Sequence, residues 1–173
     1  MRREIFYCGD DAPAALPYHY KESGLENVYL MNGYTIEEVD GEEYVSIDSV
    51  DELWKAIGLN LVTNKKLLSA KEVRFLRSQM DKTQAEVASV LRVDDQTVAR
   101  WEKGKVTLSG TADVAFRMLF LMSKVAQPEG TEILVSWLET IKKLIEKDAP
   151  VNDAVVFEQN KSNHNWERVK QYA

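Results

Sequence analysis

Between Ser69 and Gly104 the chain carries two short helical patterns, each opened by a capping residue and a glutamine, with a tight turn between them. Thr83-Gln84-Ala85-Glu86 reads as a capping box. The Thr83 hydroxyl can accept from the Glu86 amide while the Glu86 carboxylate reaches back to the Thr83 amide, so a helix starts at Gln84. Val87, Ala88 and Leu91 follow at helical spacing, and the run stops at Arg92-Val93-Asp94, too short for a strand and well placed as a turn. Asp94 or Asp95 caps the next helix. There Val98 and Trp101 face inward at i and i+3, which puts Gln96, Thr97, Arg100 and Lys103 on the opposite, solvent side. An earlier helix, capped by Ser69 with Glu72 at the reciprocal position, is expected to bury Val73, Leu76 and Met80. A later one, roughly residues 111 to 125, is expected to add Val114, Ala115, Met118, Leu119 and Met122.

The outward residues are of the types that read duplex DNA. Arg forks onto guanine O6 and N7, Gln pairs with adenine N6 and N7, Thr offers a hydroxyl and a methyl, and Lys neutralises phosphate. Singly, each is better explained as solvated surface; the joint pattern is what carries weight. Through Thr83-Gln84, Ala88, Gln96-Thr97, Val98, Trp101-Glu102 and Gly104 the stretch resembles the Xre/Cro/phage-repressor family of helix-turn-helix regulators. The resemblance implies that the helix from Gln96 to Lys103 lies in the major groove, with the Gln84 side chain and amides at the helix start holding a phosphate. Lys82, Lys103 and Lys105 flank it as backbone contacts.

Charge supports this only when resolved along the chain, because the whole protein has a formal net charge of −6. Residues 1–60 hold 4 Lys or Arg against 13 Asp or Glu, whereas residues 61–105 hold 10 against 6 and residues 106–173 hold 8 against 9. A modest basic patch binds duplex weakly unless it is dimeric or reads bases well, since nonspecific affinity tracks the phosphates neutralised. The acidic N-terminal segment invites a basic partner or simply keeps the protein solvated.

No apolar run approaches the ~18 residues of a membrane span, and Met1-Arg2-Arg3-Glu4 leads into no signal-peptide core, so a cytoplasmic protein is expected. Cys8 is alone, which excludes an intrachain disulfide. There is no Gly-rich phosphate loop and no histidine pair at ligand spacing.

The first sixty residues alternate or cluster β-formers at Glu4 to Cys8, Asn27 to Met31, Tyr34 to Val39 and Glu43 to Ile47, with Asp40-Gly41 as a hairpin turn. Asp48 to Gly58 turns helical with Val50, Leu53, Trp54 and Ile57 on one face, and Leu59 to Leu68 is expected as a linker. The expected class is α+β. A β-rich domain (1–60) precedes an all-α helix-turn-helix domain (61–126) and a C-terminal segment (127–173).

Tyr18-His19-Tyr20, Ser23-Gly24-Leu25, Asn27-Val28-Tyr29 and Gly41-Glu42-Glu43-Tyr44-Val45, ahead of the helical domain, resemble the YgiT-type zinc-finger antitoxins related to MqsA. In that family two Cys-x-x-Cys pairs hold a structural zinc. The matching positions here are Ile5 and Cys8, then Glu37 and Asp40, so three of the four thiolates are missing. One thiolate with two carboxylates is a poor tetrahedral site, so no metal and no cofactor are expected. Packing of Tyr7, Tyr18, Tyr20, Val28, Leu30, Tyr44 and Val45 is expected to hold the domain instead, and a weak mixed site at Cys8, His19, Glu37 and Asp40 is the alternative. The resemblance implies a type II antitoxin whose acidic domain binds a basic toxin protein and whose homodimer represses its own operon at a pseudo-palindromic DNA operator.

Beyond Gln127-Pro128, residues 131–147 read as an amphipathic helix with Ile133, Leu134, Trp137, Leu138, Ile141, Leu144 and Ile145 on its apolar stripe. That stripe either docks on the same chain or forms the dimer interface. The tail from Val151, with its apolar Val155-Val156-Phe157, is a partner-binding arm, a strand added to a sheet or a frayed end. A stand-alone repressor or activator with a ligand-sensing or oligomerising N-terminal domain is the second functional reading. An enzyme is not expected, because the acidic hairpin residues come without a base, nucleophile or metal triad.

Overall fold

The computed structural model describes residues 5–6 (backbone only), 17–65, 67–124 and 154–169; Cys8, Tyr7 and the amphipathic stretch 131–147 lie outside them. The fold is α+β, and the chain divides into two compact units, 1–56 with 154–173 and 57–153.

The first unit contains two antiparallel or mixed sheets. β1 (Ile5–Phe6), β4 (Tyr34–Val39) and β5 (Glu42–Ile47) form one, in the order β1-β4-β5. Asp40 and Gly41 both have positive φ, 54° and 83°, which closes the β4–β5 hairpin through a two-residue turn of the hand that matches strand twist. The second sheet runs β2 (Tyr18–His19), β3 (Val28–Leu30), β6 (Val155–Gln159), β7 (Trp166–Arg168). Its central pairing is parallel, Val28 opposite Val155 and Leu30 opposite Phe157, so the end of the chain completes a sheet begun near its start. The tail segment 155–159 is therefore an added strand.

The reason lies in side-chain chemistry. Val156, Phe157 and Trp166 are buried with Tyr20, Leu25, Val28, Leu30 and Leu53, and three-residue strands such as β3 cannot bury a core by themselves. The Trp166 ring packs against Gly33, where a Cβ would stand 2.6 Å from it, and donates its indole N–H to the Asp48 carbonyl at 3.1 Å. Asn32 clamps the neighbouring strand β6, accepting from the Gln159 amide at 2.7 Å and donating to its carbonyl at 3.3 Å. Tyr20 accepts the Trp54 indole N–H at 2.9 Å; burial, offset in part by that bond, holds its hydroxyl above the usual tyrosine range.

Two details of the expected packing need correction. Tyr44 is 55% exposed while its neighbour Val45 is half-buried opposite Ile36. Successive strand residues point to opposite faces, so both could not pack inward. The expected linker from Leu59 is also helical as far as Asn64: α1 runs Val50–Asn64 straight through Gly58. That glycine is no helix stop, but the spot where the Phe120 ring meets the helix backbone, with an added Cβ only 2.3 Å from Cζ.

In the second unit α2 (Ala70–Gln79), α3 (Gln84–Leu91), α4 (Asp95–Glu102) and α5 (Gly110–Lys124) pack around Ile57, Leu61, Val62, Val73, Phe75, Leu76, Val87, Val98, Trp101, Phe116, Phe120 and Leu121. On α5 the expected face, Val114, Ala115, Met118 and Leu119, is only half-buried and Met122 is 59% exposed. The helix instead buries Phe116, Arg117, Phe120 and Leu121. Two aromatic rings outweigh the smaller side chains in area removed from water, and the charge on that face is satisfied. Arg117, 2% exposed, donates to the Leu61 and Val62 carbonyls at 3.1 and 2.9 Å and pairs with Asp113 at 2.7 Å. It caps the C-terminal end of α1, where carbonyls lack intrahelical partners and a cation is favoured.

Trp166→Ala should cost the first unit about 3 to 5 kcal/mol, the range for emptying a buried aromatic site. Urea denaturation followed through Trp54 fluorescence checks it, and an unchanged midpoint would contradict the role given to β7. Gly58→Ala should destabilise the second unit by about 1 to 3 kcal/mol through overpacking against Phe120, despite alanine's better helix propensity. A thermal melt that rises on this substitution would contradict the contact.

Candidate nucleic-acid interface

The three central helices begin as their sequences dictate. Ser69 and Thr83 each form a complete capping box, accepting from Glu72 N at 3.4 Å and Glu86 N at 3.1 Å, while the two glutamates return bonds of 2.7 Å to the cap amides. Asp94 caps α4, accepting from the Gln96 amide at 2.7 Å. The turn between α3 and α4 is made by Arg92, which adopts the left-handed conformation (φ 54°, ψ 44°) at the α3 C-cap.

Val98 and Trp101 are buried, so α4 is anchored by one side and turns the other outward. Gln96, Arg100 and Lys103 are exposed and Thr97 is half-buried, with Lys105 exposed just beyond the helix. The side chains of Arg100, Lys103 and Lys105 take no part in an ion pair or hydrogen bond with the described residues. Lys82 is exposed and pairs at 3.7 Å with Glu86, one turn away on the surface. A solvated pair of that kind contributes little and is easily exchanged for a phosphate. Gln84 stands apart: its amide nitrogen donates to Glu102 at 2.8 Å, inside the helix cluster.

That bond belongs to a network that the sequence reading missed. Glu102, at the end of α4, receives the Arg77 guanidinium from α2 through Nε and, at 3.1 Å, Nη2, as well as Gln84 from α3. Arg77 also donates to the Lys82 carbonyl at 2.7 Å, which fixes the α2–α3 turn. Burial raises the Glu102 pKa, but the bonds from Arg77 and Gln84 and the positive charge of Arg77 outweigh it, leaving the carboxyl below its ordinary value. Nothing local in the sequence marks this trio, whose members lie 25 and 18 residues apart. Lys124 adds a further tie, donating to the Gln79 carbonyl at the α2 C-terminus with its ammonium 5.7 Å from the centre of the Phe120 ring.

Of the alternative mixed metal site, Cys8 lies outside the described residues and the other three are not brought together as a metal-binding group. Glu37 and Asp40 are exposed on the β4–β5 hairpin, and His19 donates Nε2–H to the Glu26 carbonyl at 2.9 Å while stacking on Tyr29. Among the described residues no three His, Cys, Asp or Glu side chains come together as a metal-binding group.

Residues 73–112 match the family model described as helix-turn-helix, 40 of the 173 residues. The match begins inside α2, takes in α3, the turn and α4, and ends in the first turn of α5. It supports a DNA-binding regulator of the Xre type. No curated protein and no solved structure matches the chain. Among the described residues no helix is long and apolar enough to cross a membrane.

Glu102→Ala should cost about 3 to 5 kcal/mol, since it strands the Arg77 guanidinium in a largely buried site. Because the folded-state pKa of Glu102 is depressed, its contribution is present above the pKa of an unfolded glutamate and is lost as pH falls through the folded value. Stability measured by denaturant from neutral to acid pH should therefore fall less steeply in Glu102→Gln than in the wild type. Parallel curves would contradict the network's role.

Proposed function

We propose that this protein is a sequence-specific transcriptional regulator that binds duplex DNA as a homodimer through α4, represses its own operon, and serves as the antitoxin of a type II toxin–antitoxin pair. The observation that carries the DNA part is the outward face of α4, with the Gln96, Thr97 and Arg100 side chains in no hydrogen bond or ion pair among the described residues and Lys82, Lys103 and Lys105 around it, inside the segment that matches the helix-turn-helix model. Arg100 and Gln96 are the base readers in this account, and the lysines set register on the phosphates. Two copies of α4 in successive major grooves require half-sites about 34 Å apart, or a multiple of that, in a pseudo-palindrome.

The antitoxin part rests on the resemblance of the N-terminal segment and is supported by its acidic hairpin. Glu37, Glu38, Asp40, Glu42 and Glu43 are all exposed, and Glu38 stands directly opposite Glu43 across the strands. Like charges so placed weaken a hairpin, a cost that a basic partner removes. Val39 and Tyr44, 44% and 55% exposed beside them, are residues of the kind protein interfaces bury. The reading is of a binding protein and not of an enzyme. A stand-alone regulator that senses a small polar molecule is the second reading. It is favoured by an open cleft of about 510 Å³ lined by Asn32, Glu158, Asn160, Lys161, Glu167 and Arg168 among others.

On an operator identified upstream of the gene, Arg100→Ala should cost about 1 to 3 kcal/mol and relax preference at one base pair, whereas Lys103→Ala should weaken all sequences alike and reduce the salt slope by about one. Binding isotherms over a set of single-base operator variants test both. Two variants that behave identically would overturn the assigned roles.

A further inference from the structure

We infer that Asp95 is a base-reading residue, and that it makes the protein select a cytosine at one position of each half-site. This deepens the DNA-binding reading and rests on it. Asp94 already caps α4: its carboxylate accepts from the Gln96 amide at 2.7 Å and its carbonyl accepts from the Thr97 amide at 2.9 Å. Asp95 is redundant in that role. Its carboxylate folds back onto the same Gln96 amide at 2.8 Å, one residue along, and meets no cation or other donor among the described residues. It is exposed, at the first position of an eight-residue helix.

Two adjacent carboxylates at the end of a helix directed into a groove walled by phosphates oppose binding to any duplex. Only one donor class in the major groove repays a carboxylate, an exocyclic base amine, and among the side-chain pairings Asp or Glu accepts from cytosine N4. The negative charge then does two things at once. It rewards the cytosine site and penalises every other sequence, which is how a protein with a modest excess of 4 positive charges over residues 61–105 gains discrimination without strong nonspecific affinity. The same carboxylate near the helix N-terminus is held by the helix dipole, so it is pre-set for the contact.

The test is selection from a random duplex library by the full-length protein, repeated with Asp95→Asn and Asp95→Ala, with circular dichroism to confirm that all three are folded. The wild type should enrich a motif with a cytosine that the Asn variant replaces by adenine, because a side-chain amide pairs with adenine N6 and N7. The Ala variant should lose roughly tenfold discrimination at that base pair and bind unrelated duplex more tightly. If the wild type enriches a motif and both variants enrich the same one with unchanged nonspecific affinity, Asp95 is only a second cap and the inference fails while the DNA-binding reading stands. If the folded wild type enriches nothing, the DNA-binding reading fails and the inference with it.

Discussion

The Glu102 carboxylate is the junction on which the helical unit depends. It stands at the end of α4 and accepts from Arg77 on α2 and Gln84 on α3, so one side chain ties together three helices that local sequence would leave free to rotate against one another. Its burial makes the tie exacting. A carboxylate withdrawn from water is tolerable only while its partners are in place, and the loss of Arg77 or of the carboxylate itself strands the other charge. Val98 and Trp101 fasten the inner side of α4, Glu102 fastens its end, and the outward face carrying Gln96, Thr97 and Arg100 is thereby held in one orientation. Preorganisation of this kind lets a short helix present base-reading groups without ordering them at the moment of contact.

Local patterns were legible in the sequence to the residue. Ser69 and Thr83 cap the helices they were expected to cap, with Glu72 and Glu86 answering as their spacing requires, and Asp40-Gly41 turns the hairpin. What could not be read was long-range. Phe120 seats against Gly58, which turned an apparent helix stop into a crossing point and carried α1 on to Asn64. Nothing local marks Arg117 for burial, because its partners, the Leu61 and Val62 carbonyls, lie more than fifty residues away, and the face of α5 expected inside was that of Val114, Ala115, Met118, Leu119 and Met122. The Arg77–Glu102–Gln84 trio escaped notice for the same reason.

The first unit follows a different logic. Its strands are short, its hairpin is acidic and partly self-repelling, and its core is finished only by Val156, Phe157 and Trp166 from the far end of the chain. Parallel pairing of β3 with β6 needs a crossover connection, and here that connection contains the whole helical unit. The β-rich unit is consequently a product of both ends of the chain, and the closure of so long a loop adds an entropic cost that its aromatic core has to offset.

The central claim is that α4 is the surface that meets DNA. It is tested most directly by titrating isotopically labelled full-length protein with a duplex from its own upstream region and following backbone amide resonances. The account predicts shifts concentrated from Thr83 to Lys105 and largest at Asp95, Gln96, Thr97 and Arg100, weakening as salt is raised. Shifts confined to the β4–β5 hairpin, or spectra unchanged at low salt, would contradict it.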